Sequence, residues 1–191
     1  MKLNRVRVIG GAWRSRIITF PDQKALRPTP DRVRETLFNW LGHDLTGLSC
    51  LDLFAGSGAL GFEAASRGAK HVMMVERERA AHAALEANRK TLGAAQVEIA
   101  RADALDFLRG GRGVYDIVFL DPPFAMGIWD ALLDSLPPWL ATEARVYCES
   151  GDERAVRDGW EVHKHGRAGR VNYQLLKRTT HEEQGGLPRH V

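Results

Sequence analysis

The chain has 191 residues, of which 44% are hydrophobic and 27% charged, a size at which one domain buries a full core of its own. No apolar run approaches the ~20 residues that cross a bilayer, and the opening Met1-Lys2-Leu3-Asn4-Arg5-Val6-Arg7 has no apolar stretch of a secretory leader, so a cytoplasmic protein without membrane contact is expected. Two cysteines, Cys50 and Cys148, lie in apolar runs without metal-site spacing or disulfide density, and read as buried thiols.

The net charge of +3 is unevenly spread. Residues 1–45 carry nine Lys or Arg against four Asp or Glu; 46–144 carry nine against thirteen; 145–178 carry eight against five. Each basic cluster alone reads as a solvated face. Together, two basic flanks around an acidic middle suit a polyanionic substrate.

Residues 5–20 alternate apolar and basic side chains around Gly10-Gly11, as a small basic hairpin does. A helix should follow, with Thr29 as N-cap, Pro30 in the first helical position, and Val33, Leu37, Phe38 and Leu41 on one face. From residue 49 on, short apolar runs alternate with helical segments, the pattern of βαβ units in an α/β fold. Strands are predicted over 49–54, 71–76, 96–100, 115–121 and 145–150, and helices over 60–67, 77–92, 104–108 and 129–136. In the second of these helices Ala80, Ala84 and Ala87 recur at helical spacing and Gly93 marks the stop. Residues 160–177 read as an antiparallel strand pair around Gly166-Arg167-Ala168-Gly169 that closes the sheet. The polar, aperiodic residues 179–191 read as a disordered tail.

Leu51-Asp52-Leu53-Phe54-Ala55-Gly56-Ser57-Gly58-Ala59-Leu60-Gly61 places a glycine-rich turn between a buried strand and a helix, where a ligand can touch bare backbone. The glycines alone are compatible with a tight turn that binds nothing, or with the GxGxxG fingerprint of a nicotinamide or flavin enzyme. Acids recur after the next strands. Glu76 can accept both hydroxyls of a ribose, and Asp103 can receive an adenine amino group, although singly the first could be solvated and the second an N-cap for Ala104 onward. With the turn they outline an adenosine pocket. Asp52, inside the first strand, needs a cationic partner such as the ammonium of a methionine moiety.

Asp121-Pro122-Pro123-Phe124 directly follows the apolar strand. It could be a rigid turn with a core phenylalanine. Its chemistry suggests more: an exocyclic amino nitrogen is a poor nucleophile because its lone pair is delocalised into the base, and acceptors at both N–H bonds localise that pair. Asp121 and the Pro122 carbonyl can be those acceptors. The prolines fix φ and bring no competing N–H, and Phe124 offers a face for an unstacked base, a contact worth ~1–3 kcal/mol. Methyl transfer to a base amino group is the reading these residues favour.

The chain thus resembles class I S-adenosylmethionine-dependent amino-methyltransferases. More narrowly, Arg5-Val6-Arg7-Val8-Ile9-Gly10-Gly11-Ala12-Trp13-Arg14-Ser15-Arg16 and Leu26-Arg27-Pro28-Thr29-Pro30-Asp31-Arg32-Val33-Arg34-Glu35-Thr36-Leu37-Phe38-Asn39-Trp40-Leu41 resemble the bacterial RsmD family, enzymes that methylate N2 of one guanine in 16S ribosomal RNA. The resemblance implies a Rossmann-like, seven-stranded, mostly parallel sheet with helices on both faces, preceded by a hairpin and helix extension over 1–45 and spanning 46–178. It implies S-adenosylmethionine as the donor and, as partner, 16S rRNA within the small ribosomal subunit or an assembly intermediate; a monomer is expected. Site residues follow: Asp52, Phe54, Ala55, Gly56, Ser57, Gly58, Glu76, Asp103 and Ala104 for the cofactor; Asp121, Pro122, Pro123 and Phe124 for the base; Arg7, Arg14, Arg16, Arg27, Arg32 and Arg34 for RNA phosphates. One of these arginines could instead pair with Glu35 or Asp31. Pro30 stands where the family often has a second Thr.

Rival readings share or replace parts of this. The acceptor turn suits adenine N6 or another guanine N2 in DNA or RNA equally well. A nicotinamide oxidoreductase leaves the turn at Asp121 unexplained, and a non-catalytic RNA-binding assembly factor leaves the cofactor acids unexplained. A cytosine C5 enzyme would need a cysteine in the site, where neither Cys50 nor Cys148 is expected. His163 and His165 have the strand spacing of a metal pair without a third ligand, and no metal is expected.

Overall fold

Short apolar strands joined by amphipathic helices bury both faces of a central sheet, which is why its inner strands are apolar on both sides. The computed structural model describes residues 3–22, 29–111, 113–123, 127–151 and 158–179. In chain order the elements are β1 (Leu3–Arg7), β2 (Ile17–Pro21), α1 (Asp31–Leu41), β3 (Ser49–Asp52), α2 (Ala59–Ser66), β4 (His71–Val75), α3 (Arg79–Leu92), β5 (Val97–Ala100), α4 (Ala104–Arg109), β6 (Tyr115–Leu120), α5 (Trp129–Ser135), a 3-10 turn (Pro137–Trp139), β7 (Leu140–Ser150), β8 (Trp160–Ala168) and β9 (Val171–Arg178). Seven strands form one sheet in the order β5-β4-β3-β6-β7-β9-β8. β3 to β7 are parallel, and β9 runs antiparallel to both β7 and β8. The strand order reverses between β3 and β6, and in such sheets ligands bind beyond the carboxyl ends of the strands at that point.

Helices α1, α2 and α3 cover one face, where Phe38, Phe62 and Leu85 meet Phe119 and Tyr147. Helices α4 and α5 and the 3-10 turn cover the other, where Leu108, Leu132 and Trp139 meet Leu120 and Val146. The β1–β2 hairpin lies outside the first helical layer. Asn88 of α3 takes the Thr19 N–H on its Oδ1 (3.1 Å) and gives its Nδ2 to the Thr19 carbonyl (2.8 Å). Glu63 of α2, with no solvent exposure, accepts the Ile9 and Gly10 N–H groups (2.7 and 2.8 Å) and the Arg67 Nε (2.8 Å), and its other ion pair is to Arg34 of α1 (3.5 Å). Hairpin, α1 and α2 therefore meet at one buried carboxylate.

Four details differ from the sequence expectation. Strands β3, β4 and β6 end before Phe54, Glu76 and Asp121, because there the chain leaves the ladder to build the crevice. Pro30 precedes α1 (φ −55°, ψ 146°) and makes no side-chain cap, so the helix starts at Asp31; the Thr29 hydroxyl is engaged by Glu149 instead. The buried stripe of α3 is Ala81, Leu85, Asn88 and Leu92, one step round from the expected alanines, since the leucines carry more apolar surface and set the orientation. β7 begins five residues earlier than predicted, its extra residues lying across a register shift against β6. The closing antiparallel pair is as expected, and Gly93 ends α3 in the left-handed conformation (φ 65°). The tail from residue 180 on lies outside the described residues.

Replacing Glu63 by Ala would leave buried Arg67 without its counter-charge, leave Arg34 with Asp31 alone, and free the Ile9 and Gly10 N–H groups. A loss of about 3–5 kcal/mol of stability is expected, measured as a fall in the urea midpoint of the cofactor-free protein.

Candidate active site

The turn after β3 is suspended between the ends of two neighbouring strands: Leu53 N–H bonds the Phe119 carbonyl (3.2 Å) and Ala55 N–H bonds the Val75 carbonyl (3.0 Å). Gly58 caps α2 in the left-handed region (φ 81°), and a Cβ there would come within 2.7 Å of Leu85 and Phe62 carbons. Gly61, the third glycine, lets the α2 backbone rest on the Met74 side chain of β4. Phe54 and Gly56 are partly exposed; Ala55, Ser57 and Gly58 are buried, with Ser57 Oγ accepting the Ala59 N–H (3.3 Å).

Asp52 is 2% exposed and accepts the Gly61 N–H (3.2 Å) and the Phe54 N–H. Burial pushes its carboxyl up to about 7, against the pull of those two N–H groups, and Glu76 adds a smaller push in the same direction. Glu76, also buried, takes the Gly56 N–H on Oε2 (2.9 Å) and the Glu78 N–H on Oε1 (2.7 Å). It thus braces the glycine turn, and each oxygen keeps a further lone pair. Asp103 caps α4 through the Leu105 N–H (2.9 Å), and its Oδ2 lies 3.8 Å from Arg77 Nη1. Ala104, the first residue of α4, is buried. Three acids and the glycine turn therefore border the carboxyl ends of β3, β4 and β5, a donor-poor, acceptor-rich rim that suits a cationic, hydroxyl-bearing nucleoside.

Asp121 follows the last residue of β6. Residues paired in register share a face, so the pairs Asp52↔Phe119 and Phe119↔Tyr147 put Asp52, Asp121 and Glu149 on one face of three adjacent strands. Asp121 keeps some exposed surface while protein crowds around it. Desolvation raises its carboxyl well above the usual range, and the charges of Glu149 and then Asp52 raise it further. Pro122 is buried and Pro123 exposed; Phe124 lies outside the described residues.

Of the arginines expected to face RNA, Arg7, Arg14, Arg16 and Arg32 are exposed, Arg16 with one contact to the Thr91 carbonyl (3.3 Å). Arg27 lies outside the described residues. Arg34 is a correction: it is 1% exposed, donates to Asp31 (2.7 Å) and to the Arg7 carbonyl (2.9 Å), and faces Glu63, so its charge is spent inside the protein. The pairing with Asp31 left open from sequence is the one found.

Cys50 and Cys148 are buried thiols, pushed up by desolvation and thus poor nucleophiles. His163 and His165 are exposed on β8, and a register shift at His163 removes it from the regular alternation of the strand. Among the described residues no group of three His, Cys, Asp or Glu could hold a metal ion, and no helix is long and apolar enough to cross a membrane. Sequence reasoning missed Glu149 and Glu63. The first stands one residue before the end of β7, close to a strand end like the acids named from sequence; the second is the one charged residue in the wholly buried α2.

Residues 6–177 match the family described as Conserved hypothetical protein 95. The chain is 44% identical over 186 residues to Ribosomal RNA small subunit methyltransferase D of Escherichia coli K12, covering 95% of this chain and 92% of that protein. The Haemophilus influenzae protein of the same name is 39% identical, with 90% and 93% covered. The solved structure of Escherichia coli yhhF superposes with a TM-score of 0.83 at 44% identity, covering 92% of this chain and 98% of that one.

Because the Asp52 carboxyl ionises near 7 when folded and near 3.9 when unfolded, the unfolded chain gives up that proton first as pH rises. Asp52 therefore costs the cofactor-free protein stability progressively between about pH 4 and 7. Asp52→Asn should flatten that part of the fall, seen by comparing thermal midpoints of the two proteins across this range.

Proposed function

This chain belongs to the Conserved hypothetical protein 95 family, that of the small-subunit ribosomal RNA methyltransferases D, and from that premise we propose that it methylates the exocyclic N2 of one guanine in 16S rRNA. It is an S-adenosylmethionine-dependent rRNA methyltransferase with a class I fold. The observation that carries the residue-level reading is the shared face of Asp52 and Asp121: an acceptor turn stands beside the glycine turn at the point where strand order reverses.

S-adenosylmethionine, when bound, supplies an already activated methyl group, so the protein's task is to position and to select. Asp52 is the acid to pair with the donor's ammonium group, Glu76 has lone pairs left for ribose hydroxyls, and Asp103 has one oxygen beyond its capping bond for the adenine amino group. Ala104 and the turn residues Phe54 to Gly58 form the wall between them. Asp121 and the Pro122 carbonyl are the acceptors for the two N–H bonds of the guanine amino group, while Pro123 stiffens the turn and Phe124 offers a stacking face. As the N–CH₃ bond forms and the S–CH₃ bond breaks, the nitrogen becomes acidic and its proton leaves to Asp121 or to water.

Arg7, Arg14, Arg16 and Arg32, together with Arg27, are the groups to meet RNA phosphates. Arg34 has the different task of holding α1 to the hairpin. The chain acts in the cytoplasm, as a monomer, on RNA in the small subunit or a precursor of it.

Asp121→Ala should abolish methyl transfer while leaving S-adenosylmethionine affinity nearly unchanged, read by titration calorimetry beside a tritium-transfer assay on undermodified small subunits. Mapping the label tests the target: tritium on adenine would refute the guanine assignment. Arg7, Arg14 and Arg32 replaced together by Gln should weaken RNA binding and lower the slope of log affinity against log salt by about 2, and an unchanged slope would move the RNA surface elsewhere.

A further inference from the structure

Glu149 is a buried carboxylate that the transfer described above does not use. It is 3% exposed and lies near the carboxyl end of β7, one strand over from Asp121. Leu120 pairs with Cys148, so Asp121 and Glu149 are the next residues on two adjacent parallel strands, on the face covered by α1. Tyr147 donates its hydroxyl to Glu149 Oε1 (2.9 Å), and the Thr29 hydroxyl donates to the same carboxylate. Thr29 is itself buried and stands two residues before α1. In β9, Tyr173 pairs with Glu149 in register. Three separate stretches of chain thus converge on one acid at the edge of the catalytic turn.

We propose that Glu149 is a positioning residue of the methyl-transfer site: held by Tyr147 and Thr29, its negative charge beside Asp121 sets the proton occupancy of Asp121, and with it the pH range in which Asp121 can accept the amino group of the base. This rests on the role given to Asp121 above.

Two enclosed carboxyl groups side by side do not both ionise cheaply, and the proton goes to the one with fewer donors. Two hydroxyls favour the charged form of Glu149, although burial raises it. Asp121 is raised by burial first and by Glu149 next. The groups facing this pair are Asp52 from β3, Tyr147 from β7 and the Thr29 hydroxyl, with Tyr173 of β9 beside Tyr147; each is an acid, a phenol or an alcohol. A protonated Asp121 offers O–H where the amino group needs an acceptor, so turnover should fall on the acid side as Asp121 takes up its proton.

Glu149→Gln keeps the shape and removes the charge. Single-turnover methyl transfer followed across the acid and neutral range should show the acid limb of the mutant moved to lower pH by about one unit, with S-adenosylmethionine affinity as in the parent. Carboxyl-carbon NMR of the substrate-free protein should show the Asp121 midpoint moving the same way, a reading that needs no RNA. Tyr147→Phe, which takes one donor from Glu149, should move that midpoint in the same direction by less, and serves if Glu149→Gln does not fold. A mutant that loses rate or stability at all pH values with the limb and the midpoint unmoved would overturn the proposal. A midpoint that moves in a protein that never labels guanine would instead leave Glu149 coupled to Asp121 and remove the function assigned to the site.

Discussion

Glu63 has no contact with water, yet it carries a charge in the middle of an apolar helix, and it accepts from both sides at once. Two backbone N–H groups of the hairpin reach it from above, and the guanidinium groups of Arg67 and Arg34 reach it from its own helix and from α1. A buried charge is tolerated only when its hydrogen-bonding capacity is filled, so these partners are a condition of the fold. Ser66 extends the joint, donating to the Gly10 carbonyl (2.6 Å) and accepting the Trp13 N–H (2.9 Å). The fit has one imperfection: Arg34 Nε is buried without a hydrogen-bond partner.

This joint fixes the N-terminal extension to α2, which packs on the sheet. Arg34 lies in α1, α1 stacks Phe38 near Phe119 and Trp40 on Tyr173, and the residues just before α1 reach Glu149. A basic outer surface is thereby tied, through a chain of packed groups, to the wall of the proposed acceptor turn at Asp121. Pre-positioned groups of this kind cost less ordering when a large polyanion docks.

The parts of this design that were legible from sequence are those with local signatures. The glycine turn, the Asp-Pro-Pro turn and the acids at successive strand ends each combine a backbone requirement with a chemical one inside a few residues, and the alternation of strands and helices announced the sheet. What stayed hidden depends on distant partners. Thr29 has the look of an N-cap, but whether its hydroxyl turns to its own helix or to Glu149 is decided by a strand 120 residues further along. Arg34 belongs to a run of basic residues, and nothing in that run distinguishes it from Arg32; the distinction comes from Glu63, which periodicity alone would have marked only as an odd acid in an apolar helix. The strands end earlier than their sequence suggests for a related reason: Leu53-Phe54, Glu76 and Asp121 directly continue apolar runs, and only the crevice they build shows that the ladder has already ended.

Asn88 has a consequence beyond holding the hairpin in place. In a two-stranded ribbon, the outward N–H and C=O of a strand are open to any extended chain that comes by, and such edges nucleate association between molecules. By taking both outward groups of Thr19 with a single side-chain amide, α3 behaves there as a one-residue counterfeit strand. Both outward groups of Thr19 are thereby withdrawn from any extended chain that would add to β2 at that residue.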